Sequence, residues 1–145
     1  MSPVESFWDF SLAIYGAPGV EAACLELQER FGADVNLALY CLWIGRMLTP
    51  EAFAQVLETA APLRQFIEPL RQMRRSMPSD NPARAALKQA ELKAEKLEQD
   101  ALQALGEPGP TGESAADNLR AYAMQLGAGE PDFMAVAAPL LRALG

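Results

Sequence analysis

The sequence predicts an all-α protein in which a compact helical bundle surrounds one buried central helix at about residues 35–48. The segment from Val35 to Ile44 reads VNLALYCLWI, with Asn36 as its one polar residue, and a helix that is apolar on every side must be enclosed by protein. Elsewhere apolar residues recur every three or four positions, and no alternating strand pattern occurs. Residues 82–105 are rich in Ala, Lys, Glu and Gln, which favours one long helix.

Two amphipathic helices are predicted before the central one. Ser2-Pro3-Val4-Glu5 is typical of a capping box with proline at the first helical position, so we expect a helix from Pro3 to about Tyr15. Its predicted inward face is Phe7, Trp8, Phe10, Ile14 and Tyr15. The second helix ends at Gly32, and its apolar stripe is Val20, Ala23, Cys24, Leu27 and Phe31.

The central helix and the next two elements are also marked by their end residues. Asp34 is placed to cap the central helix, and Gly45-Arg46 restores polarity after it. Thr49 caps a fourth helix that we expect to close at Pro62, with the stripe Phe53, Val56, Leu57 and Ala60. A fifth element continues through Phe66, Leu70, Met73 and Met77. Pro69 removes one backbone donor there and should kink or divide the element.

The longest predicted helix runs from Pro82 to about Leu105. Its expected packing seam is Leu87, Ala90, Ala94, Leu97, Ala101 and Ala104. The spacing resembles a coiled coil, but strong coiled coils prefer bulkier residues at these positions. We therefore favour packing within the chain over a self-dimerising coil, and a homodimer remains the alternative.

The predicted domain organisation has three parts. Residues 1–105 form the bundle, the Gly- and Pro-rich residues 106–113 form a linker, and residues 114–145 form a C-terminal helical hairpin. The hairpin is expected to dock on the bundle rather than to move independently. Its apolar stripes are Leu119, Tyr122, Ala123 and Leu126, followed by Phe133, Val136, Leu140 and Leu144.

Composition excludes several classes of function. The chain has no histidine, which rules out Ser-His-Asp and Cys-His catalysis and His-ligated zinc. Cys24 and Cys41 lie in apolar helical patterns and are expected to be buried reduced thiols, the alternative being a redox pair. The longest apolar run is too short to span a bilayer. Neither a secretory leader nor a cofactor motif is apparent, so the expected location is the cytoplasm.

Charge is unevenly distributed along this acidic chain. The net charge is −7, which argues against nucleic acid as a partner, yet residues 61–96 hold eight bases and four acids. The candidate anion- or partner-binding residues in this part are Arg64, Arg71, Arg74, Arg75, Arg84 and Lys88.

The expected pairing of these bases depends on helix register. An antiparallel pair turning near Ser79 would bring Arg64 near Glu95, but Arg71 near Lys88 and Arg75 near Arg84, which leaves most of the cluster without acidic partners. The acidic first part of the chain could supply them, with Glu5, Asp9 and Asp34 as candidates. Otherwise the cluster would be solvated or would bind an external anion.

Four further residues are candidates for a metal site or a pocket. Glu91 and Glu95 have the spacing needed to share a divalent ion, but no motif completes an oxygen shell, so no metal site is predicted and the two are only weak candidates. Asp9 and Asn36 lie among apolar residues and are candidate polar groups of a pocket, since buried polar groups must be hydrogen-bonded. Structural bonding or capping is the alternative for both.

A family resemblance appears at several of these segments. Phe7-Trp8-Asp9-Phe10-Ser11-Leu12, Pro18-Gly19-Val20 and Asp34-Val35-Asn36-Leu37 resemble the opening of a proteobacterial family of small uncharacterised proteins, a domain of unknown function. Leu70-Arg71 to Arg74-Arg75 and the segment from Glu91 to Glu95 are similar to later parts of that family. The resemblance covers roughly residues 6–100 and implies a small helical protein, without catalytic residues or an activity to transfer.

Two functional hypotheses follow from the sequence. The favoured one is a bacterial, cytoplasmic, non-catalytic protein-interaction module whose partner is another protein. The alternative is the binding or turnover of an anionic small molecule or phosphorylated lipid in a pocket between helices, lined by arginines.

Overall fold

The computed structural model describes residues 5–145, which form a compact bundle of seven helices without a strand. The helices are α1 (Phe7–Tyr15), α2 (Val20–Phe31), α3 (Val35–Trp43), α4 (Pro50–Ser76), α5 (Pro82–Gln103), α6 (Ala115–Leu126) and α7 (Glu130–Arg142). The predicted all-α class is therefore confirmed. No helix among these residues is both long and apolar enough to cross a bilayer.

The apolar core surrounds α3, as the sequence predicted. Every residue of α3 from Asn36 to Trp43 is buried. Phe7 of α1 lies against the rings of Trp43 and Tyr40, with centroid separations of 5.3 and 5.6 Å. Asp34 caps α3, because its carboxylate accepts a hydrogen bond from the backbone N–H of Asn36 at 2.9 Å.

The first helix begins later than predicted. Its cap is Ser6, whose hydroxyl accepts from the backbone N–H of Asp9 at 3.1 Å. The Ser2-Pro3-Val4 part of the expected capping box lies outside the described residues, and Glu5 and Ser6 are not helical. The sequence Ser6-Phe7-Trp8-Asp9 carries the same signal, a hydroxyl followed three residues later by an acid.

The helix α4 corrects the prediction of two separate elements. It continues through Pro62 and Pro69, so neither proline ends or divides it. Each proline leaves one carbonyl of the preceding turn without its helical partner. Pro62 and Pro69 are both exposed, so water can bond to the carbonyls that they leave free.

The inward faces of α4 and α5 also differ from the prediction. Ile67 is buried on α4, whereas Phe66 and Met73 of the expected stripe are exposed. On α5 the buried residues are Glu91, Glu98, Gln99 and Leu102, and Leu97 of the expected seam is 59% exposed. The apolar repeat predicts an apolar buried face on α5, but the buried face is mainly polar.

The last two helices complete the same core. α6 packs against α3, and α7 packs against α2. Asn118 of α6 binds the end of α3, since its amide oxygen accepts from the backbone N–H of Leu48 at 2.9 Å and its nitrogen donates to the carbonyls of Cys41 and Arg46. The division into bundle, linker and hairpin as folding units stays a prediction.

The segment between α5 and α6 crosses the C-terminal end of α3. The backbone N–H of Gly109 donates to the carbonyl of Ile44 at 2.7 Å, and that of Gly112 donates to Leu42 at 2.9 Å. Gly45 has a φ of +71°, and a Cβ there would overlap the backbone of Gly109 and Pro110. Only glycine fits this crossing.

Candidate functional site

A cleft of about 580 Å³ lies between α1, α2, the start of α3, α4 and α5. Its aliphatic lining is Leu12, Leu25, Val35, Leu39, Ile67 and Leu92, and the aromatic residues Trp8 and Tyr15 also line it. Its charged lining is Glu21, Asp34, Arg64, Glu68, Arg71, Arg74, Arg75, Lys88, Glu91, Glu95 and Glu98. The volume falls within the range of about 300–1,000 Å³ that is typical of small-molecule sites.

One face of α5 forms a polar wall of this cleft. Lys88, Glu91, Glu95 and Glu98 follow one another at intervals of three or four residues, which places them on one side of a helix. Glu91 and Glu98 are only 2% and 1% exposed. Charged groups buried this deeply require ionic or hydrogen-bonding partners.

Arginines of α4 supply the partners of Glu91 and Glu95. Arg74 Nε lies 2.6 Å and Arg71 Nε 3.1 Å from the Glu91 carboxylate, and Arg71 Nη2 lies 3.4 Å from Glu95 Oε1. Burial by itself raises the pKa of Glu91, but the hydrogen bonds from Arg74 and Arg71 outweigh it, and the pKa is lowered. Burial, together with the nearby Glu91 charge, raises the pKa of Glu95.

This pairing corrects the helix register expected from the sequence. Arg71 was expected opposite Lys88, yet it contacts Glu91 and Glu95, so the ion-paired hairpin that the register seemed to exclude is present. Side chains of a helix lean toward its N-terminus. In this antiparallel pair those of α4 lean away from the turn and those of α5 lean toward it, which shifts contacts by several residues.

The inner end of the cleft holds a network of uncharged polar groups around Asn36. The Asn36 amide donates to Glu98 Oε1 at 3.0 Å, and its oxygen accepts from Gln99 Nε2 at 2.9 Å. The Ser11 hydroxyl of α1 donates to Gln99 Oε1 at 3.2 Å. These bonds connect α1, α3 and α5, so they hold the inner wall in one arrangement.

Asp34 and Glu98 form a buried carboxyl pair in this network. Burial, and after it the adjacent Asp34 carboxylate, together raise the pKa of Glu98 to about 10. Glu98 therefore holds a proton at neutral pH. Arg64 Nη1 lies 3.6 Å from Asp34 Oδ2, whereas Arg64 Nη2 bonds Glu68 at 2.8 Å.

Tyr122 of α6 closes the network from the opposite side. Its hydroxyl accepts from the backbone N–H of Asp34 at 2.7 Å. Burial raises the pKa of Tyr122, and the Asp34 charge acts in the same direction. The phenol therefore stays protonated, and α6 takes part in positioning Asp34.

The structure divides the predicted basic cluster into three groups. Arg64, Arg71 and Arg74 are ion-paired inside the cleft. Arg75 and Lys88 line the cleft at the end near the α4–α5 turn, are exposed, and have no carboxylate within 4.0 Å among residues 5–145. Arg84 lies outside the cleft and donates to the carbonyl of Met77 at 3.1 Å.

The predicted pocket residues and the predicted acidic partners are each only partly found at the cleft. Of the two proposed pocket groups, Asn36 is buried in the cleft wall, whereas Asp9 is exposed on α1 and does not line the cleft. Of the three acids suggested as arginine partners, Asp34 lies within ion-pair distance of Arg64, and Glu5 and Asp9 pair with no arginine in the described part of the chain.

Metal and thiol chemistry find little support at this site. Glu91 and Glu95 both bind Arg71, and residues 5–145 contain no cluster of three or more His, Cys, Asp or Glu side chains arranged to hold a metal. Cys24 and Cys41 are buried free thiols. Burial raises the pKa of Cys24 to about 12 and also raises that of Cys41, so neither is a reactive thiolate at neutral pH.

Sequence reasoning missed Glu98, Gln99, Ser11 and Tyr122 as site residues. The signal for Glu98 was present, because Glu91, Glu95 and Glu98 form a regular stripe on α5. Such a stripe on an Ala/Lys/Glu helix normally faces solvent. Tyr122 carries no local signal, since its role depends on how α6 meets the start of α3.

Comparison with known proteins gives a family but no activity. The model of the protein family of unknown function DUF2390 matches residues 6–102, a range that contains every residue that lines the cleft. No curated protein and no solved structure gave a significant match.

Proposed function

Because the chain belongs to the DUF2390 family of unknown function, we propose its function from the site alone: the cleft binds a small amphiphilic anion such as an alkyl phosphate. Arg75 and Lys88 carry this proposal, since they line the outer end of the cleft and have no carboxylate within 4.0 Å in the described chain. Unpaired cations on a concave surface attract phosphate and carboxylate groups.

The apolar walls of the cleft indicate that the rest of this ligand is apolar. Leu12, Leu39, Ile67 and Leu92 line its wall, and Arg71 and Arg74 are neutralised by Glu91 and Glu95. An inorganic anion alone would leave these apolar walls unoccupied. An alkyl chain would gain about 0.8 kcal/mol for each buried methylene group.

Thermal unfolding and calorimetry with octyl phosphate, below its micelle concentration, test the proposal. Octyl phosphate should raise the melting temperature by several degrees at saturating concentration. The double variant Arg75→Ala, Lys88→Ala should bind it at least tenfold more weakly. Lys93→Ala is the matched control, because Lys93 is an exposed base of the same helix that does not line the cleft. No binding of octyl phosphate, or equal affinity of the double variant and the unmodified protein, would overturn the proposal.

A second candidate function is self-association through an exposed apolar face of α4. Phe66 and Met73 are 65% and 49% exposed, and with Leu70 between them they follow helical spacing. In a two-fold dimer the same patch of each copy meets its counterpart, so this apolar stripe would pack against an apolar stripe. This candidate takes up the homodimer alternative, through α4 rather than through the long helix, and the expectation of another protein as partner stays a prediction.

Light scattering over a range of concentrations tests this second candidate. A dimer mass that becomes monomeric in Phe66→Ser, Met73→Ser would support it, and a monomer at every concentration would rule it out. Met124→Ser is the control, since Met124 is 75% exposed on α6.

A further inference from the structure

Two buried carboxyl oxygens at the inner end of the cleft accept no hydrogen bond from any neighbouring group outside the pair that the structure describes. They are Asp34 Oδ2 and Glu98 Oε2, and the two residues that carry them are 8% and 1% exposed. The other oxygens of this pair are occupied, because Asp34 Oδ1 caps α3 and Glu98 Oε1 accepts from Asn36. Buried polar atoms in native proteins are nearly always bonded, so this pair calls for an explanation.

Neighbouring cations do not provide it. Arg64 lies 3.6 Å from Asp34 Oδ2, which is beyond hydrogen-bonding distance, and its nearer partner is Glu68 at 2.8 Å. Tyr122 of α6 contacts Asp34, Glu68 of α4 contacts Arg64, and Glu95 precedes Glu98 by three residues on α5. The α1 group that joins this network is the neutral Ser11. In the free protein one proton between the two carboxyls satisfies both oxygens.

We propose that Asp34 and Glu98 form a site for an alkylammonium group, so that the ligand of the cleft is an elongated zwitterion with an amine at one end and an anion at the other. This inference rests on the proposed function for its anionic end. Glu98 and Lys88 are ten residues apart on α5, which corresponds to about 15 Å along the helix. A chain of about eight methylene groups suits this separation and the apolar wall between the two ends.

Binding of the ammonium group exchanges one positive charge for another. The proton on Glu98 leaves to solvent, and two N–H groups of the ammonium donate to Asp34 Oδ2 and Glu98 Oε2. Arg64 lines the cleft beside the pair, and its side chain is 27% exposed, so its movement opens the path to these oxygens. Since one proton leaves for each ligand bound, affinity for the amine must rise with pH.

The test compares three probes: 8-aminooctyl phosphate, octyl phosphate and octylamine. At pH 7.5 calorimetry should show 8-aminooctyl phosphate binding at least tenfold more tightly than octyl phosphate. Between pH 6 and pH 8 this affinity ratio should rise by nearly tenfold per pH unit. The ratio cancels titration of the phosphate, which both compounds carry.

Two variants separate binding from a structural role. Glu98→Gln supplies an amide donor to Asp34 in place of the proton, so it keeps the fold and should lose both the tenfold preference and its pH dependence. Asp100→Asn is the control, because Asp100 is an exposed acid of the same helix outside the cleft. If Glu98→Gln folds poorly, Asp34→Asn and the pH trend of the unmodified protein decide the question.

The outcomes distinguish this inference from the proposed function. Equal affinity for the two phosphates, or an unchanged preference in Glu98→Gln, would overturn the amine site while leaving the anion site intact. If neither phosphate binds, the proposed function fails. Octylamine binding that is lost in Glu98→Gln would then still support the amine site, and the absence of octylamine binding would end it.

Discussion

The helices α3 and α5 are both packed against the rest of the molecule, but they are buried by different chemistry. The buried residues of α3 are apolar apart from Asn36, and aromatic rings of α1 and α3 pack around them. α5 instead buries Glu91, Glu98 and Gln99 with only Leu102 as an apolar residue. Apolar burial requires a fitting volume, whereas polar burial requires a partner for every atom. The comparison indicates that α3 is the centre of the apolar core and that α5 lines the candidate site with polar groups.

The largest expected effect is the loss of packing at α3. Leu42 is fully buried, so Leu42→Ala should lower the free energy of unfolding by about 3–5 kcal/mol, measured by urea denaturation. Leu97→Ala on α5 is the control and should change it by less than about 0.5 kcal/mol, because Leu97 is exposed. Equal losses in the two variants would contradict the assignment of α3 as the structural centre.

The next effect concerns the ion pairs of α5. Glu91→Ala leaves Arg71 and Arg74 without their main partner, and we expect a loss of about 3 kcal/mol in the same measurement. Asp100→Ala, which removes the exposed pair with Lys96, should lose less than about 1 kcal/mol. A small loss for Glu91→Ala would show that α5 is buried without depending on its charges.

A smaller loss is expected at Asn36, the residue that belongs to both regions. Asn36→Ala removes a donor to Glu98 and an acceptor for Gln99, which should lower the free energy of unfolding by about 2 kcal/mol. Asn36→Asp keeps the acceptor but adds a negative charge beside Glu98, so it should be the worse of the two. A larger loss of stability in Asn36→Ala than in Asn36→Asp would show that Asn36 contributes by packing rather than by its polar contacts.

An effect of opposite sign, which depends on pH, is expected at Glu98. Burial and Asp34 raise the pKa of its carboxyl from 4.5 to about 10, so between these values the native state holds a proton that the unfolded state has lost. Stability must fall as pH rises through this range. Glu98→Gln cannot titrate, so its free energy of unfolding relative to that of the unmodified protein should rise by about 1.4 kcal/mol per pH unit between pH 6 and pH 8. If the free energies of unfolding of the two proteins change with pH in parallel, Glu98 does not hold a proton in the native state.

The same contrast explains how far sequence reasoning reaches. The core helix, its Asp34 cap and the all-α class follow from apolar periodicity and capping residues, which are local signals. The face of α5 does not, because Leu97 completes an apolar repeat that turns outward while Glu98 turns inward. Burial of a carboxylate depends on partners on other helices. Arg64, Asp34 and Asn36 are distant from Glu98 in the sequence, so no local pattern predicts that they surround it.

The site residues divide along the same line. Arg64, Arg71 and Arg74 could be selected because they cluster in one basic stretch, but their pairing required the lean of side chains in an antiparallel pair. The continuity of α4 through Pro62 and Pro69 was equally hidden. A proline signals a lost hydrogen bond, and only the fold reveals that both losses fall on the solvent side.

The closure of α3 by Gly109, Asn118 and Tyr122 has a consequence for the order in which the molecule is made. These contacts join residues that are about 65–90 positions apart in the chain. During synthesis, α1 to α5 emerge from the ribosome before the groups that cover α3 and fix Asp34 emerge. Domains generally fold as units, so the walls of the candidate cleft are complete only after α6 has emerged.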